Sequence, residues 1–378
     1  MHPDVVVIGG GIIGCSCAYY LSLEGMRVYL IEKGSLASGT SGACEGNVLI
    51  WNKRPGIELD LAMASASLYE ELSEELPLDI EFRRRGCLLI AEKPEDLAEI
   101  ERRVKSLDDR GVPYQPVDRR EALKLEPKLA PDIIGGIFFP EEIQVNPMLA
   151  TFALAKAAKA RGAVIRTFCR VTDIRLSPEG EVTAVDTTEG RVFTRAVVNA
   201  AGAWSGEIGG MVGLDIPVLP RKGHVVVTEP AEGMLHHTVM EAGYTRTVRE
   251  SREGVAVAAV MEPTHSGNIL LGSSREFVGF DRSVDPRVIS ALISRVLRFL
   301  PDLRHLHAIR FYAGLRPYTP DRLPIISDSE VKGFYIAAGH EGTGICLAPI
   351  TGRLIAQMIT GRKTDLPVKD LSLSRFKA

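Results

Sequence analysis

A chain of 378 residues, 45% hydrophobic and 25% charged, has the make-up of a globular protein, long enough for two domains or one large α/β body with an insertion. Its net charge of -3 offers no electrostatic hold to nucleic acid or an anionic membrane, and no apolar run approaches the roughly 20 residues that cross a bilayer. Six scattered cysteines without a C-x-x-C pair read as small buried apolar residues rather than disulfides or metal ligands, so no metal is expected. The first strand leaves no room for a signal peptide, and the expectation is a cytoplasmic protein.

The first elements are a strand, a glycine turn, a helix and a second strand. Val5 to Ile8 form a continuous apolar run, as in a strand buried on both faces of a parallel sheet. Gly9, Gly11 and Gly14 follow in G-x-G-x-x-G spacing: the first for the tight turn, the second for close approach of a pyrophosphate, the third for packing of helix on strand. The helix N-terminus offers N–H groups and partial positive charge to phosphate. The strand Arg27 to Ile31 ends at Glu32, placed to accept hydrogen bonds from a ribose, with Lys33 beside it. With strand, helix and terminal acid all present, the motif predicts a dinucleotide site.

Leu59 to Leu76 have helical apolar spacing, and "GCLLIAE", "PEDLAEIERRVKSLDDRG" and "GGIFFP" then alternate strand and helix. "NPMLATFALAKAAKARG" predicts a helix with Asn146 as N-cap, Pro147 in the first turn and Gly162 as stop. It leads to a strand, "AVIRTF", that rejoins the cofactor sheet, and to hairpin-like strands "EVTAVDTT" and "RVFTRAVV". "RAVVNAAGAWSGEIGG" is an apolar strand ending in a small-residue turn that opens a second helix at Trp204 and Ser205. From Pro217 to Tyr312, strands "KGHVVVTE", "GVAVAAVM" and "NILLGSS" with the helix "DPRVISALISRVLRFLP" suit an antiparallel sheet with helices on one side. The last segment, "GFYIAAGHEGTGICLAPITGRLIAQMITG", repeats the strand, glycine turn and helix plan.

Three such turns, at the start, middle and end of the chain, imply a nucleotide domain assembled from separated segments. The fold class read from this pattern is α/β combined with α+β: a Rossmann-like FAD-binding domain of glutathione-reductase type and an antiparallel-sheet substrate domain. The expected division assigns 1–82, 145–215 and 318–378 to the former, and 83–144 and 216–317 to the latter.

"VVVIGGGIIG", "VVNAAGAWS", "GLRPYTPDRLPII" and "AAGHEGTGICLAPITG" together resemble the FAD-dependent D-amino-acid oxidase superfamily, nearly end to end. That superfamily includes glycine oxidase, sarcosine oxidase and the β-subunits of dye-linked proline and hydroxyproline dehydrogenases. The resemblance implies non-covalent FAD in extended form. Gly9, Gly11 and Gly14 would face its pyrophosphate and Glu32 its ribose; Ser38, Thr40 and Ser41 would contact phosphate or flavin; Val171 would reach the adenine through its backbone. Ala201, Gly202, Trp204, Gly314, Gly339, Gly342, Thr343 and Gly344 complete the expected cofactor positions, the N–H groups of the last three stabilising charge on the flavin. Covalent flavin is not expected, because Gly314 stands where monomeric sarcosine oxidases carry their linking cysteine; an additional FMN at a subunit interface remains open.

Arg316 lies in "AGLRPYTPDRLPI", read as a rigid turn, and the resemblance makes it the residue that grips a substrate carboxylate. The bland alternative is a salt bridge to Asp321 or Glu341. The same resemblance implies hydride removal from the substrate Cα–H to give an imine. His340 is either a flavin or substrate contact or a structural histidine, and Tyr244 either a cover for the substrate or a core tyrosine. His224 is a further active-site candidate. "RKGHVVVTEP" and "GNILLGSSREFVGFD" are most similar to the proline and hydroxyproline dehydrogenase β-subunits. The expected function is therefore a dehydrogenase for a small secondary-amine amino acid, passing electrons to a partner subunit or an artificial acceptor. A glycine, sarcosine or D-amino-acid oxidase using dioxygen, a homo-oligomer, and a non-catalytic flavin-binding subunit are the alternatives.

Overall fold

Two sheets, stitched together by several chain crossings, organise the computed structural model, which describes residues 2–244 and 254–377. The remainder of the "EAGYTRTV" stretch after Tyr244 lies outside the described residues.

A six-stranded sheet runs Ile325–Ser327, Phe334–Ala338, Val197–Asn199, Val5–Ile8, Val28–Ile31, Val164–Arg166. All neighbours in it are parallel except the first pair. Val5, Val6 and Val7 are fully buried, which explains an unbroken apolar run where a one-sided strand would alternate. The helices Ile12–Leu23, Pro147–Ala160 and Gly344–Ile359 pack together on one face of this sheet. The Pro147–Ala160 helix starts as the sequence requires: the Asn146 side chain accepts from Met148 N and Leu149 N, and Pro147 occupies the first turn. The other face is covered by a three-stranded antiparallel sheet, Val171–Leu176, Val182–Thr187 and Gly190–Phe193.

The second sheet has eight strands, in the order Ala308–Tyr318, Leu219–Thr228, Ile269–Arg275, Ala256–Pro263, Thr238–Glu241, Cys87–Ala91, Gly135–Phe139, Gln115–Asp118. It is antiparallel except where Thr238–Glu241 runs parallel to Cys87–Ala91, the seam that joins the two sequence-distant halves. The short strands Gln115–Asp118 and Thr238–Glu241 escaped the sequence reading, being too brief for a periodic signal. The amphipathic helix Pro286–Phe299, capped by Asp285, lays Val288, Ile289, Leu292, Val296 and Phe299 on one face of this sheet.

One local expectation changes. Arg316 is not on a turn; it stands within the Ala308–Tyr318 strand, paired with Arg221. Pro317 made the stretch look like a turn, but this strand is the sheet edge, where a residue without N–H is tolerated. The chain turns only after Tyr318, where Thr319 O accepts from Arg322 N.

Candidate active site

The nucleotide end is built by close backbone approach. Gly9 has φ +117°, and a Cβ there would lie 2.4 Å from Ala200 O; a Cβ on Gly14 would lie 1.9 Å from Gly9 O. Only glycine allows the Ile12–Leu23 helix to start this close to the sheet. Gly11 caps that helix without a side-chain bond, and Ser41 Oγ accepts from Ile12 N at 3.0 Å. The Glu32 carboxylate accepts from Gly10 N and Gly34 N, each at 2.7 Å, which fixes it against the turn and leaves lone pairs for a further donor. Lys33 Nζ lies 3.5 Å from the centroid of the Trp204 ring, and Phe280 stacks on that ring's plane at 5.5 Å.

From here one cavity of about 880 Å³ runs between the two sheets. Gly9, Gly11, Glu32, Lys33, Ser38, Thr40, Ser41, Val171, Ala201, Gly202 and Trp204 line it on the nucleotide side. Arg316, Tyr244, Glu341, Gly342 and Gly344 line it toward the eight-stranded sheet, with Glu45, Met240 and Val260, which the sequence did not single out as cavity residues. The segment after the glycine turn joins the two ends: Thr40 Oγ1 donates to Leu315 O at 2.5 Å, and Gly314 packs against Ala43. Gly314 therefore supports the site from behind the lining.

The Arg316 guanidinium crosses the neighbouring strand at Gly223, and Nη1 donates to Ser274 O at 2.9 Å. Both carboxylates that could pair with Arg316 are engaged by other arginines. Asp321 is paired with Arg375 at 2.7 Å. Glu341 is paired with Arg221 at 3.3 Å and lies 3.7 Å from Arg275. Burial alone would raise the Glu341 carboxyl, but the guanidiniums of Arg275, Arg316 and Arg221, in that order, hold it below its ordinary value. Burial lowers Arg221 to about 10. Three guanidiniums around one carboxylate give this end of the cavity a positive potential suited to an anionic ligand.

Tyr244 sits at the cavity wall, its hydroxyl accepting from Arg275 Nη2 at 2.7 Å and its ring under the same guanidinium. Thr343 borders a small adjoining hollow of about 70 Å³, shared with Tyr244, Glu341 and Gly342. Gly339, at φ +77°, ends the Phe334–Ala338 strand against Thr319. The two histidines lie away from the lining. His340 is 1% exposed, shares a hydrogen bond with Thr351 Oγ1 at 3.0 Å, and is lowered to about 3 by burial, so it is neutral and built into the core. His224 is wholly buried, bonded at Nδ1 to Ser274 Oγ, its pKa lowered chiefly by burial. It adjoins the Ser274 that anchors Arg316, so any influence passes through that strand.

An extended FAD needs a pyrophosphate seat at a helix N-terminus, an acid for the ribose and room for two ring systems. The Gly9–Gly14 turn, Glu32 and a cavity near the upper end of ligand-pocket volumes provide all three. Fold and site thus define a flavin-binding, two-sheet oxidoreductase. The chain matches the family described as FAD dependent oxidoreductase (DAO) over residues 4–358, and it belongs to that family. It is 31% identical to glycine oxidase from Geobacillus kaustophilus, over 98% of this chain and 97% of that one. It is 29% identical to hydrogen cyanide synthase subunit HcnC from Pseudomonas aeruginosa, over 99% and 96%. The crystal structure of L-proline dehydrogenase from P. horikoshii superposes with a TM-score of 0.91 at 29% identity, covering 100% of this chain and 98% of that one. The D-amino-acid oxidase resemblance read from the motifs is thereby established, and with it the FAD-dependent oxidoreductase class. The family supports FAD and gives no support to an additional FMN. Among the described residues no helix is long and apolar enough to cross a membrane.

Proposed function

We propose that this protein oxidises a small amino acid at its Cα–N bond, with a secondary amine such as proline or hydroxyproline as the favoured substrate. The observation that carries the reading is the placement of Arg316: a guanidinium drawn across Gly223 and tied to Ser274 O, in the wall of the cavity that the nucleotide turn also lines. With one hydrogen of Nη1 engaged, its remaining donors form a fork for a carboxylate, the geometry in which Arg surpasses Lys. Bound FAD supplies the hydride acceptor. Arg316 fixes the substrate carboxylate and so helps to place Cα, and positioning of this kind supplies much of the catalysis. Tyr244, held by Arg275, closes one side of the pocket. The Gly342 to Gly344 turn borders it at the start of the Gly344–Ile359 helix, where N–H groups favour negative charge. Met240 and Val260 offer an apolar wall of the kind a ring methylene prefers.

The proline dehydrogenase neighbour supports the secondary-amine reading, and the glycine oxidase relative supports a second one, oxidation of glycine or sarcosine by dioxygen. We assign the cofactor domain to 1–82, 145–215 and 318–378 and the substrate domain to 83–144 and 216–317, with partner subunits as the electron acceptors. Anaerobic addition of proline, hydroxyproline, sarcosine and glycine to the FAD-loaded protein tests the proposal. Bleaching of the flavin by the first two at the lowest concentrations supports it; bleaching by glycine alone, with peroxide released in air, selects the second reading. No bleaching by any of them overturns both.

A further inference from the structure

The cavity wall carries a carboxylate that neither the fold nor the cofactor uses. Glu45 lies just beyond the glycine turn and the Ser38–Ser41 segment, and its side chain reaches toward the eight-stranded sheet. Its Oε1 is buried and accepts no hydrogen bond. The sheet makes room for it: a Cβ at Gly272 would lie 2.0 Å from Glu45 Oε1. Val260 borders the same spot, 3.8 Å from that Cβ position. An unpaired carboxylate oxygen in such a place costs free energy unless a cation arrives to meet it.

Its location relative to Arg316 says which cation. Arg316 is anchored at Ser274 O and Glu45 packs on Gly272, so the two charged groups reach the cavity from neighbouring points of one strand. An α-amino acid has its carboxylate and its nitrogen on the same carbon. Such a ligand can meet both groups at once, each through a charge-assisted hydrogen bond. Arg316 and Glu45 are thus a complementary pair for a zwitterion, one sign at each end, with Val260 near the acid and Met240 paired with Val260 on the adjoining strand.

We propose that Glu45 is the residue that binds the substrate's ammonium group and makes the site selective for amino acids over carboxylate isosteres that lack the ammonium, an inference that rests on the carboxylate role of Arg316. The neighbouring apolar wall suits an ammonium bearing a carbon substituent, which is the secondary-amine class.

The test compares proline with its oxygen isostere, tetrahydrofuran-2-carboxylate, as ligands of the FAD-loaded protein, read by perturbation of the flavin spectrum and by inhibition. In the parent protein proline should bind at least about 30-fold more tightly, the lower range for a buried charge pair broken on one side. Glu45→Gln, which preserves shape, should keep its FAD content, weaken proline by that factor, and leave the isostere unchanged, so that the preference disappears. An unchanged preference in Glu45→Gln overturns the proposal. Arg316→Ala separates the two ideas, since it should weaken both ligands. If Arg316→Ala weakens neither, the carboxylate reading fails as well; if it weakens both while Glu45→Gln changes nothing, only the ammonium role is lost.

Discussion

Gly223 is the position at which a one-atom change should destroy function while sparing the fold. A methyl group there would lie 2.0 Å from Arg316 Nη1, 2.6 Å from Cζ and 2.7 Å from Nη2. Carbon and nitrogen need roughly 3.5 Å, so the guanidinium must retreat by about 1.5 Å. The clash is with the tip of a long side chain and not with backbone, so the strand pairing of Gly223 with Gly314 can persist. The bond from Nη1 to Ser274 O, a charged hydrogen bond of the kind worth about 1.5–3 kcal/mol, would break. A reactant displaced by about 1 Å commonly loses on the order of 100-fold in rate, equivalent to about 2.7 kcal/mol of barrier. Gly223→Ala is therefore expected to fold and bind FAD, to melt somewhat below the parent temperature because that bond is lost, and to reduce kcat/KM for its amino-acid substrate by about 100-fold. Single-turnover flavin reduction in an anaerobic stopped-flow instrument measures this. Full FAD occupancy with undiminished kcat/KM would show that the Arg316 position does not matter.

Other outcomes follow from the same geometry. Gly14→Ala, whose Cβ would lie 1.9 Å from Gly9 O, should yield protein purified without FAD, as absorbance near the flavin bands would report. Phe299→Ala, at a fully buried position beneath the eight-stranded sheet, should cost about 3–5 kcal/mol in denaturant unfolding. Glu262 and Glu142 are each raised from 4.5 to about 7, chiefly by burial. The folded state thus holds protons that the unfolded chain releases, and stability falls as pH rises from 4.5 through 7. The loss reaches about 3 kcal/mol per group above pH 7. Thermal melts should show higher stability at pH 6 than at pH 8, and Glu262→Gln should flatten part of that slope; a slope of opposite sign would mean these acids are ionised in the fold.

The local parts of this site were open to reading from the chain. Gly9, Gly11, Gly14 and Glu32 form a motif whose spacing carries its own mechanism, and Asn146 with Pro147 announces a helix start by the same logic. Arg316 was recognisable only through its family pattern, and its turn-like surroundings misled because a proline in an edge strand and a proline in a turn look alike in one dimension. Glu45, Gly223, Gly272 and Arg275 gave no signal at all. Their significance arises where separate strands meet: Gly223 matters because Arg316 crosses it, and Gly272 because Glu45 rests on it. Nothing in the sequence around any of them reports that neighbour. His340 shows the converse: its place in a glycine-rich turn left a ligand contact and a structural histidine equally open, and the fold buries it against Thr351.

The most direct measurement is the anaerobic flavin spectrum of the FAD-loaded parent protein and of Arg316→Ala, titrated with proline. Bleaching should saturate in the parent, whereas the variant should retain its flavin and show no saturation over the same range. Equal saturation in both, or a parent protein whose flavin stays oxidised with every amino acid tried, would remove the carboxylate grip on which the functional reading stands.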